Sequence, residues 1–301
     1  MLAVEHRPLE ATAGLAGLLP QLETIVSALL AKCDLQAEHC LGVSLSLPSL
    51  VDFRTQRIVS CNDKFPDATQ IGLSAWTREA FNLPVAIEND ARAALLGEHA
   101  AGSARDASDV LMLTLGTGIG SALLVGGQPF RTSQPQGGNL GGHIPLAPNG
   151  RLCTCGAIGC MEAEASTWAL PVIVREWPGF TKSSLASSPH IDFERLFAAC
   201  DEGDAVARAV VDHCVHIWSV GTVGLIHAYG PELVVFGGGV MRRADQILPS
   251  LTSYVHRHAW TPAGPVRVVR AALGNDAALY AAIPLLLNAL HGETPRASEI
   301  R

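Results

Sequence analysis

The sequence has no run of basic residues and no apolar segment at its start. Its 301 residues include 21 lysines and arginines against 28 aspartates and glutamates, a formal charge of −7. A nucleic-acid-binding surface needs basic side chains clustered on one face, so we expect no nucleic-acid partner for this chain. The start, Met1 to Arg7, is too polar for a signal peptide, and we find no later uninterrupted apolar run typical of a membrane helix. These absences predict a soluble cytoplasmic protein that has no membrane partner.

The chain also lacks the cysteine pattern of a secreted disulfide protein. Five of its eight cysteines are scattered singly: Cys33, Cys40, Cys61, Cys200 and Cys214. The other three lie close together in one glycine-rich segment. Reduced thiols plus a metal site fit this distribution better than a disulfide framework.

That segment reads Gly-His, nine residues, then Cys-x-Cys-Gly-x-x-Gly-Cys-x-Glu. Its four candidate ligands are His143, Cys153, Cys155 and Cys160. Thiolates plus one imidazole suit tetrahedral Zn(II), and the glycines let the backbone turn tightly enough to aim four side chains at one point. The alternative is three cysteines packed in a core as small apolar side chains. Their concentration in a turn-rich segment favours a structural zinc site.

The apolar residues alternate between helical and strand spacing, which predicts an α/β protein. The predicted helices cover 9–32, 74–81, 90–98, a region after Ser166, 204–228 and a last helix from Asp276. The predicted strands cover 41–47, 85–88, 110–115, 121–125, 233–236 and 266–269. A polar stretch, 102–109, predicts a break between an N-terminal domain, 1–105, and a C-terminal domain, 106–301.

Two glycine-rich turns follow predicted strands. The first is Gly116-Thr117-Gly118-Ile119-Gly120, which offers backbone N–H groups and a hydroxyl to a phosphate. It lacks the helix-opening glycine of a dinucleotide site and the lysine of a P-loop, and glycine hairpins are common. The second, Gly237-Gly238-Gly239, fits nucleotide contact or tight packing equally well. Each turn by itself leaves both interpretations open.

A carboxylate stands where a buried strand gives way to a helix, in Glu88-Asn89-Asp90-Ala91. Asp90 at this position is ordinarily a helix cap. Ligands of open α/β sheets, however, bind at the carboxyl ends of strands. Asp90 is therefore a candidate for chemistry as well as for capping.

Taken together, these motifs resemble the ROK family of sugar kinases and sugar-responsive repressors. The residues that carry the likeness are Glu88 to Ala91, Gly97-Glu98, Leu115 to Gly120, the zinc segment to Ser166, Gly237 to Gly239 and Gly274 to Leu279. The resemblance runs from about Leu41 to the C-terminus. It implies an actin-like, ribonuclease H-like ATPase fold of two α/β domains with a structural zinc loop, in which sugar and ATP meet between the domains.

The activity implied is ATP-dependent phosphorylation of a hexose or N-acetylhexosamine hydroxyl. By the resemblance, Asp90 would be the general base and Asn89 would hold neighbouring sugar hydroxyls. His143 would bind zinc and face the sugar. Glu162 would accept a hydrogen bond from a hydroxyl near the anomeric carbon, although glutamates are most often solvated surface residues. Zinc would then be architectural, so that its loss weakens sugar binding first.

The two glycine turns acquire roles by the same resemblance. Gly116, Thr117, Gly118 and Gly120 would form the second phosphate loop, which contacts Mg-ATP. Gly237, Gly238 and Gly239 with Val240 would form the adenosine-side contact. A homodimer is implied by analogy with relatives.

Two departures from the family pattern limit these expectations. Leu140 stands where the family usually has a sugar-binding glutamate. Either the neighbouring Asn139 takes that role or the sugar is bound differently, so the substrate of better-known relatives does not carry over directly. The first phosphate loop, Asp-x-Gly-x-Thr, does not occur, and only Leu2 to Arg7 stands in the place of the family's third strand. We therefore expect that the chain is N-terminally truncated or that its start codon was placed too late. The N-terminal domain would then lack its first strands, strand 41–47 would lack a neighbour, and activity would depend on the missing loop. Reading the in-frame codons upstream of Met1 tests this expectation.

Three functions remain open from the sequence. They are a sugar kinase, a sugar-sensing transcriptional regulator, and a non-catalytic sugar-binding relative. Asp90 together with the turn from Gly116 to Gly120 favours the kinase, because a sensor needs sugar contacts more than phosphate contacts.

Overall fold

The computed structural model describes residues 1–8, 14–61 and 65–291. Within it the chain folds into two compact units. The first contains Met1–Ala100, Arg131–Gly137 and the segment that begins at Asp276, and the second contains Ala101–Phe130 and Gly138–Asn275. The sequence pattern indicated a single domain break, at 105/106. It gave no signal that the chain returns twice to the first unit, at Arg131 and at Asp276.

The described residues contain ten α-helices and nine strands. The α-helices are α1 (Leu19–Lys32), α2 (Leu73–Phe81), α3 (Asp90–Ala101), α4 (Met161–Ala165), α5 (Leu170–Glu176), α6 (Phe193–Asp201), α7 (Ala205–Tyr229), α8 (Ala244–His258), α9 (Ala277–Tyr280) and α10 (Ala282–His291). The strands are β1 (Val43–Leu47), β2 (Leu50–Asp52), β3 (Arg57–Ser60), β4 (Val85–Asn89), β5 (Val110–Leu115), β6 (Ile119–Val125), β7 (Gln128–Pro129), β8 (Leu233–Gly237) and β9 (Arg267–Arg270).

The first unit is built on a parallel pair of strands. β1 and β4 run in register from Val43 opposite Val85 to Leu47 opposite Asn89, and α10 packs on both strands. β2 and β3 form a separate antiparallel hairpin. Buried apolar side chains from both strand pairs join α2 in one core. The parallel pair brings the ends of β1 and β4, and therefore Asn89 and Asp90, to one edge of this core.

Three expectations for this unit are wrong. β1 does have a neighbour, because β4 satisfies one of its edges. Leu2 to Arg7, placed as a strand by the resemblance, has irregular backbone in the described structure. The helix expected over 9–32 begins at Leu19, since Pro20 is tolerated in the first turn of a helix but not in its interior. Residues 9–13 lie outside the described residues.

The side chain of Gln56 accepts a hydrogen bond from a backbone N–H group of β4, the strand that leads to Asp90. Its Oε1 accepts from the Ile87 N–H at 2.6 Å, and its Nε2 donates to the Phe53 carbonyl at 2.7 Å. Gln56 has a φ of 52°, in the left-handed region that is unfavourable for a residue with a Cβ. The conformation of the turn between β2 and β3 therefore places the Gln56 side chain within hydrogen-bonding distance of β4.

The second unit contains a five-stranded sheet in the order β7-β6-β5-β8-β9. β5 is antiparallel to β6 and parallel to β8, and β8 is parallel to β9. β6 begins at Ile119, so the turn predicted over 116–120 shortens to Gly116–Gly118, and Gly120 pairs with Thr114 inside the hairpin. The sequence analysis missed α8, although its buried residues Ile247, Leu251 and Val255 recur at helical spacing.

α7 is the core helix of the second unit. Within the described residues it is the one helix whose length and mean hydropathy would suffice to cross a membrane, although Arg208 and Asp212 interrupt its apolar sequence. Half of the apolar window is buried inside the protein, and α7 contacts α4, α5, α6 and α8. Its apolar residues therefore face protein, as in the core helix of a globular domain.

Asp204 caps the N-terminus of α7 and ties a preceding loop to it. Its Oδ1 accepts from the N–H groups of Val206 and Ala207 at 2.9 and 3.0 Å. Its Oδ2 accepts from the Ser183 hydroxyl and the Ser184 N–H, both at 2.7 Å. Burial by itself raises the pKa of this carboxyl, but these hydrogen bonds outweigh it and lower the pKa of Asp204 to about 2.

We predict that Asp204→Ala lowers the free energy of unfolding by about 1–2 kcal/mol near neutral pH, because a helix cap and two loop contacts are lost. The folded-state pKa lies below the unfolded value of 3.8, so this stabilisation is present above pH 3.8 and disappears as the pH falls through about 2. Denaturant unfolding of both proteins from pH 7 to pH 2 measures the difference. Asp192→Ala, which removes the cap of α6 at the Arg195 N–H, is the control for an ordinary cap. An undiminished difference at pH 2 contradicts the prediction.

Candidate functional site

Asp90 stands at the junction of β4 and α3, where its carboxylate is oriented by two hydrogen bonds. Its Oδ1 accepts from Asn89 Nδ2 at 3.0 Å and from the Ala91 N–H at 2.9 Å. The carboxylate therefore has a fixed direction at the carboxyl end of the parallel strand pair. That end is where α/β sheets place ligands.

The side chain of Asn89 makes three hydrogen bonds within the first unit. Besides the bond to Asp90, its Nδ2 donates to the Ser49 carbonyl at 3.0 Å, and its Oδ1 accepts from the Arg92 N–H at 3.1 Å. In this structure Asn89 orients Asp90. Its role as a sugar ligand stays a prediction.

Glu88 belongs to this site, and the sequence analysis gave it no role. Its side chain is fully buried, and its oxygens accept from Arg92 Nη1 at 2.9 Å and Arg131 Nη2 at 2.6 Å. A glutamate directly after the apolar run from Val85 to Ile87, on the same predicted strand, was the available signal, since buried carboxylates are rare unless they are paired. The arginine partner at 131 had no signal in the sequence, because the segment Arg131–Gly137 joins the first unit only in the folded chain.

The phosphate-type turn is held in place by a neighbouring segment of the second unit. The Thr167 N–H donates to the Gly116 carbonyl and the Trp168 N–H donates to the Thr117 carbonyl, both at 3.1 Å. Inside the turn, the Gly116 N–H donates to the Gly118 carbonyl at 3.0 Å. The carbonyls of Gly116 and Thr117 thus point toward the segment Thr167-Trp168. These two hydrogen bonds fix the direction of the remaining peptide groups of the turn.

Glu162 braces the same turn from α4. Its Oε2 accepts from the Ile119 N–H at 2.7 Å, and its Oε1 accepts from Trp168 Nε1 at 3.1 Å. Glu162 is buried, so the alternative of a solvated surface glutamate does not hold. A Cβ on Gly118 would lie 2.5 Å from Glu162 Oε2, which explains the glycine. The sugar contact implied by the resemblance stays a prediction for Glu162.

A cavity of about 830 Å³ opens beside the turn within the second unit. Its lining residues come from the turn and its support, from α6 and from the segment after β8: Gly116, Thr117, Thr167, Asp192, Phe193, Glu194, Phe197, Ala198, Asp201, Gly239, Val240, Arg242 and Arg243. The sequence analysis found the glycines but not the α6 side chains. Nothing in the sequence of α6 distinguishes it from an ordinary amphipathic helix, so only the fold brings it to the cavity.

Charged side chains of both signs line this cavity. Asp192, Glu194 and Asp201 are its carboxylates, Arg242 and Arg243 are its arginines, and Gly116 and Thr117 carry no charge. Arg243 donates to Asp201, which lowers the pKa of that carboxyl, and it lies over the Phe197 ring at 5.5 Å. An anionic ligand group at Gly116 and Thr117 would therefore meet no carboxylate from these two residues.

The structure brings the four predicted zinc ligands together. Their ligand atoms all lie within 4.8 Å of one another, and Cys153 Sγ is 3.4 Å from His143 Nδ1. Cys155 Sγ is 3.7 Å from Cys160 Sγ. Tetrahedral zinc bonds of 2.0 to 2.3 Å imply ligand separations of about 3.5 to 3.8 Å. The donor set and its spacing therefore fit one zinc ion.

The protonation of the candidate thiols differs within the set. Burial, followed by hydrogen bonding with Cys155 and Cys153, raises the pKa of the Cys160 thiol to about 12. Burial also raises the pKa of the Cys155 thiol, but hydrogen bonds with the Ala157 N–H, Cys160 and Cys153 outweigh it and lower that pKa. Metal binding requires thiolates, so a bound divalent ion would stabilise the ionised form of these side chains.

Backbone turns and one ion pair shape the metal loop. Gly156 and Gly159 have φ values of 89° and 69°, which glycine adopts readily, and Cys153 N–H donates to the Ala157 carbonyl at 2.8 Å. Arg151 Nη1 pairs with the buried Glu164 Oε2 of α4 at 2.6 Å. The loop is thereby attached to the same short helix that carries Glu162.

Before the metal loop, Asn139 is buried and Leu140 is 41% exposed. Leu140 thus offers an apolar surface at the position where the family pattern has a carboxylate. An expected hydrogen-bond acceptor is missing there, which is consistent with a different sugar preference.

Comparison with known proteins identifies the family. The ROK family model matches residues 16–289, so this chain belongs to the ROK family. It is 33% identical over 258 residues to a glucokinase from Thermotoga maritima, covering 83% of this chain and 80% of that protein. It is also 25% identical to a xylose repressor from Caldicellulosiruptor bescii, covering 81% of this chain and 61% of the repressor.

Solved structures agree with this assignment. A ROK hexokinase from Thermus thermophilus superposes with a TM-score of 0.78 at 30% identity, covering 96% of this chain and 91% of that one. A ROK family glucokinase from Streptomyces griseus, in complex with glucose and AMPPNP, gives a TM-score of 0.75 at 26% identity, covering 90% and 88%. The predicted family and the actin-like ATPase fold class are confirmed. The relatives support a sugar kinase and leave a regulator open.

For the metal centre we predict one zinc per chain by elemental analysis, and loss of that zinc in Cys155→Ser. Cys155 is exposed, so the substitution removes a ligand without opening a hole in the core. Cys40→Ser, at a cysteine outside the cluster, is the matched control and keeps its zinc. A full zinc complement in Cys155→Ser would refute the ligand set.

For the phosphate-type turn we predict that Gly118→Ala destabilises the protein while Gly116→Ala does not. The added methyl at 118 displaces Glu162 from its bonds to Ile119 and Trp168, a loss of about 1–3 kcal/mol for buried hydrogen bonds. At Gly116 a Cβ meets nothing within 4 Å. Thermal unfolding compares the two variants. Equal melting temperatures would show that Glu162 does not brace the turn.

Proposed function

We propose that this protein is an ATP-dependent sugar kinase that phosphorylates a hydroxyl of a hexose or N-acetylhexosamine. The observation that carries the proposal is the oriented carboxylate of Asp90 at the end of β4. It occurs in a ROK family chain that also has a glycine turn and a cavity of nucleotide size. Similarity to a glucokinase and to a glucokinase bound to glucose and AMPPNP supports the substrate class.

In the proposed reaction Asp90 accepts the proton of the sugar hydroxyl as that oxygen attacks the γ-phosphorus of Mg-ATP. The bond from the γ-phosphorus to the bridging oxygen breaks, ADP leaves, and a sugar phosphate forms. Positioning and electrostatics provide most of the rate enhancement in such transfers. The hydrogen bonds from Asn89 and Ala91 to Asp90 Oδ1 supply part of that positioning.

The nucleotide is assigned to the cavity of the second unit. Within the described residues, the N–H groups of Thr117 and Gly118 have no hydrogen-bond partner, whereas those of Gly116 and Ile119 do. Thr117 and Gly118 are therefore the donors that we assign to the ATP phosphates. The α6 side of the cavity, with Phe197, takes the base and ribose, next to the segment from Gly237 to Val240.

The sugar-contact roles that the family resemblance implies stay proposals for each unit by itself: Asn89 and Asp90 in the first, and His143 and Glu162 in the second. The zinc ion would be held by His143, Cys153, Cys155 and Cys160, where it supplies a fixed loop conformation rather than a reacting group. Cytoplasmic location and a homodimer stay predictions that rest on the family.

A sugar-sensing regulator is the second candidate. Similarity to a xylose repressor favours it, and the chain spans 61% of the length of that protein. The same experiment separates the two functions, since a regulator binds sugar without releasing ADP.

We predict that Asp90→Asn lowers kcat by about 10²- to 10⁴-fold, the usual contribution of a general base, with a smaller effect on the KM for ATP. The measurement is coupled ADP release over a hexose panel, with chain 1–301 and with the chain extended by any in-frame upstream codons. The asparagine keeps the volume and the hydrogen-bonding shape of the side chain, so folding is preserved.

Asp109→Asn is a matched control, because Asp109 Oδ1 caps the Gly126 N–H in the second unit and is not assigned to the site. Undiminished ADP release by Asp90→Asn would remove Asp90 as the base. Sugar binding by calorimetry with no ADP release in any form of the chain would favour the regulator.

A further inference from the structure

Glu88 is the centre of a buried charge cluster that the proposed reaction does not use. Its Oε1 accepts from Arg92 Nη1 and from the Asn89 N–H, both at 2.9 Å, and its Oε2 accepts from Arg131 Nη2 at 2.6 Å. The side chains of Glu88, Arg92 and Arg131 are 0%, 3% and 15% exposed. One buried carboxylate therefore faces two guanidinium groups.

A contribution to stability does not by itself explain this cluster. A single arginine would neutralise Glu88, and the second adds a buried charge of the same sign. Burial lowers the pKa of Arg92, Glu88 opposes that shift, and the positive charge of Arg131 adds to it. Arg131 Nη1 is also buried without a hydrogen-bond partner in the part of the chain that the structure describes. Buried polar atoms without partners are rare, and a functional requirement is one reason for keeping them.

Arg131 reaches the cluster from a segment that leaves the second unit. It begins the stretch Arg131–Gly137, and its guanidinium carbon lies 4.4 Å from the centre of the Phe53 ring. At the other end of the stretch, the Gly137 carbonyl accepts from Arg92 Nη2 at 2.9 Å. The two arginines thus hold both ends of this segment as well as the Glu88 carboxylate.

From Glu88, hydrogen bonds continue to Asp90 through Asn89. Glu88 Oε1 accepts from the Asn89 N–H, and Asn89 Nδ2 donates to Asp90 Oδ1 at 3.0 Å. The opposite side of the Asn89 amide is held by the backbone N–H of Arg92 at 3.1 Å. A change in the position of the Glu88 carboxylate therefore changes the backbone and amide group that orient Asp90.

We propose that Arg131 is a positioning residue that, through Glu88 and Asn89, holds the Asp90 carboxylate in the orientation that accepts the sugar proton. This role rests on the proposed kinase function. Arg131 acts on the reaction through its ion pair with Glu88, so it affects the rate of the chemical step more than the binding of either substrate.

Arg131→Met tests the proposal, because methionine fills part of the space of the arginine stem and leaves Glu88 paired with Arg92. We expect kcat to fall about 10- to 100-fold, as for a misplaced reacting group, while the KM for sugar changes less than about threefold. The melting temperature stays equal or rises, since an excess buried charge is removed. Arg131→Lys restores part of kcat, because an ammonium group also donates to Glu88.

Arg54→Met is the matched control. Arg54 also lies over the Phe53 ring, at 5.4 Å, but within residues 1–8, 14–61 and 65–291 it has no ion pair with Glu88, and it keeps wild-type kcat. Wild-type kcat in Arg131→Met, a rise in KM alone, or a loss of kcat in step with a loss of folded protein overturns the proposal. If neither chain 1–301 nor the chain extended by in-frame upstream codons phosphorylates any sugar in the panel, the proposed function is overturned instead, so the two failures are distinguishable.

Discussion

Two buried carboxylates on the short helix α4 hold the second unit's site together. Glu162 binds the Ile119 N–H beside the phosphate-type turn, and Glu164 binds Arg151 at the start of the metal loop. The helix itself begins directly after the metal ligand Cys160. Because the turn and the metal loop are anchored to one helix of five residues, a change in the loop reaches the turn through covalent and hydrogen-bonded contacts. The candidate metal loop is therefore coupled to the phosphate-type turn through α4.

A comparable arrangement orients the proposed base in the first unit. Asp90 takes its direction from Asn89, and Asn89 from the cluster around Glu88. Gly97, within α3, lets this helix lie against α9, since a Cβ at Gly97 would collide with the Ala277 carbonyl. The family motifs around Gly97 and from Gly274 onward thus serve packing, which keeps α3 and its first residue, Asp90, in position.

Much of the architecture was predictable from local pattern. Strand β5 has the predicted bounds, and β4, β6 and β8 differ from theirs by at most two residues, because continuous apolar runs next to glycine turns mark buried strands clearly. The hairpin of β2 and β3 and the helix α8 were missed. β2 is three residues long, and α8 has polar and basic residues that mask its buried stripe of Ile247, Leu251 and Val255. Short or strongly amphipathic elements are recognised only once their packing partners are known.

Local sequence was sufficient to predict the family, the α/β class and the grouping of the four candidate metal-ligating side chains, because residue types at fixed spacing carry that information. Folding of the whole chain was needed to establish the contacts of Glu162, which point to the turn, and the membership of Arg131 in the cluster around Glu88. It also brought α6 to the cavity beside Gly116 and Thr117. The bonds from Glu162 to Ile119 and from Arg131 to Glu88 each join residues 43 positions apart in the chain. Their pairing depends on how the strands and helices pack. The spacing of residues within a local segment does not predict that packing.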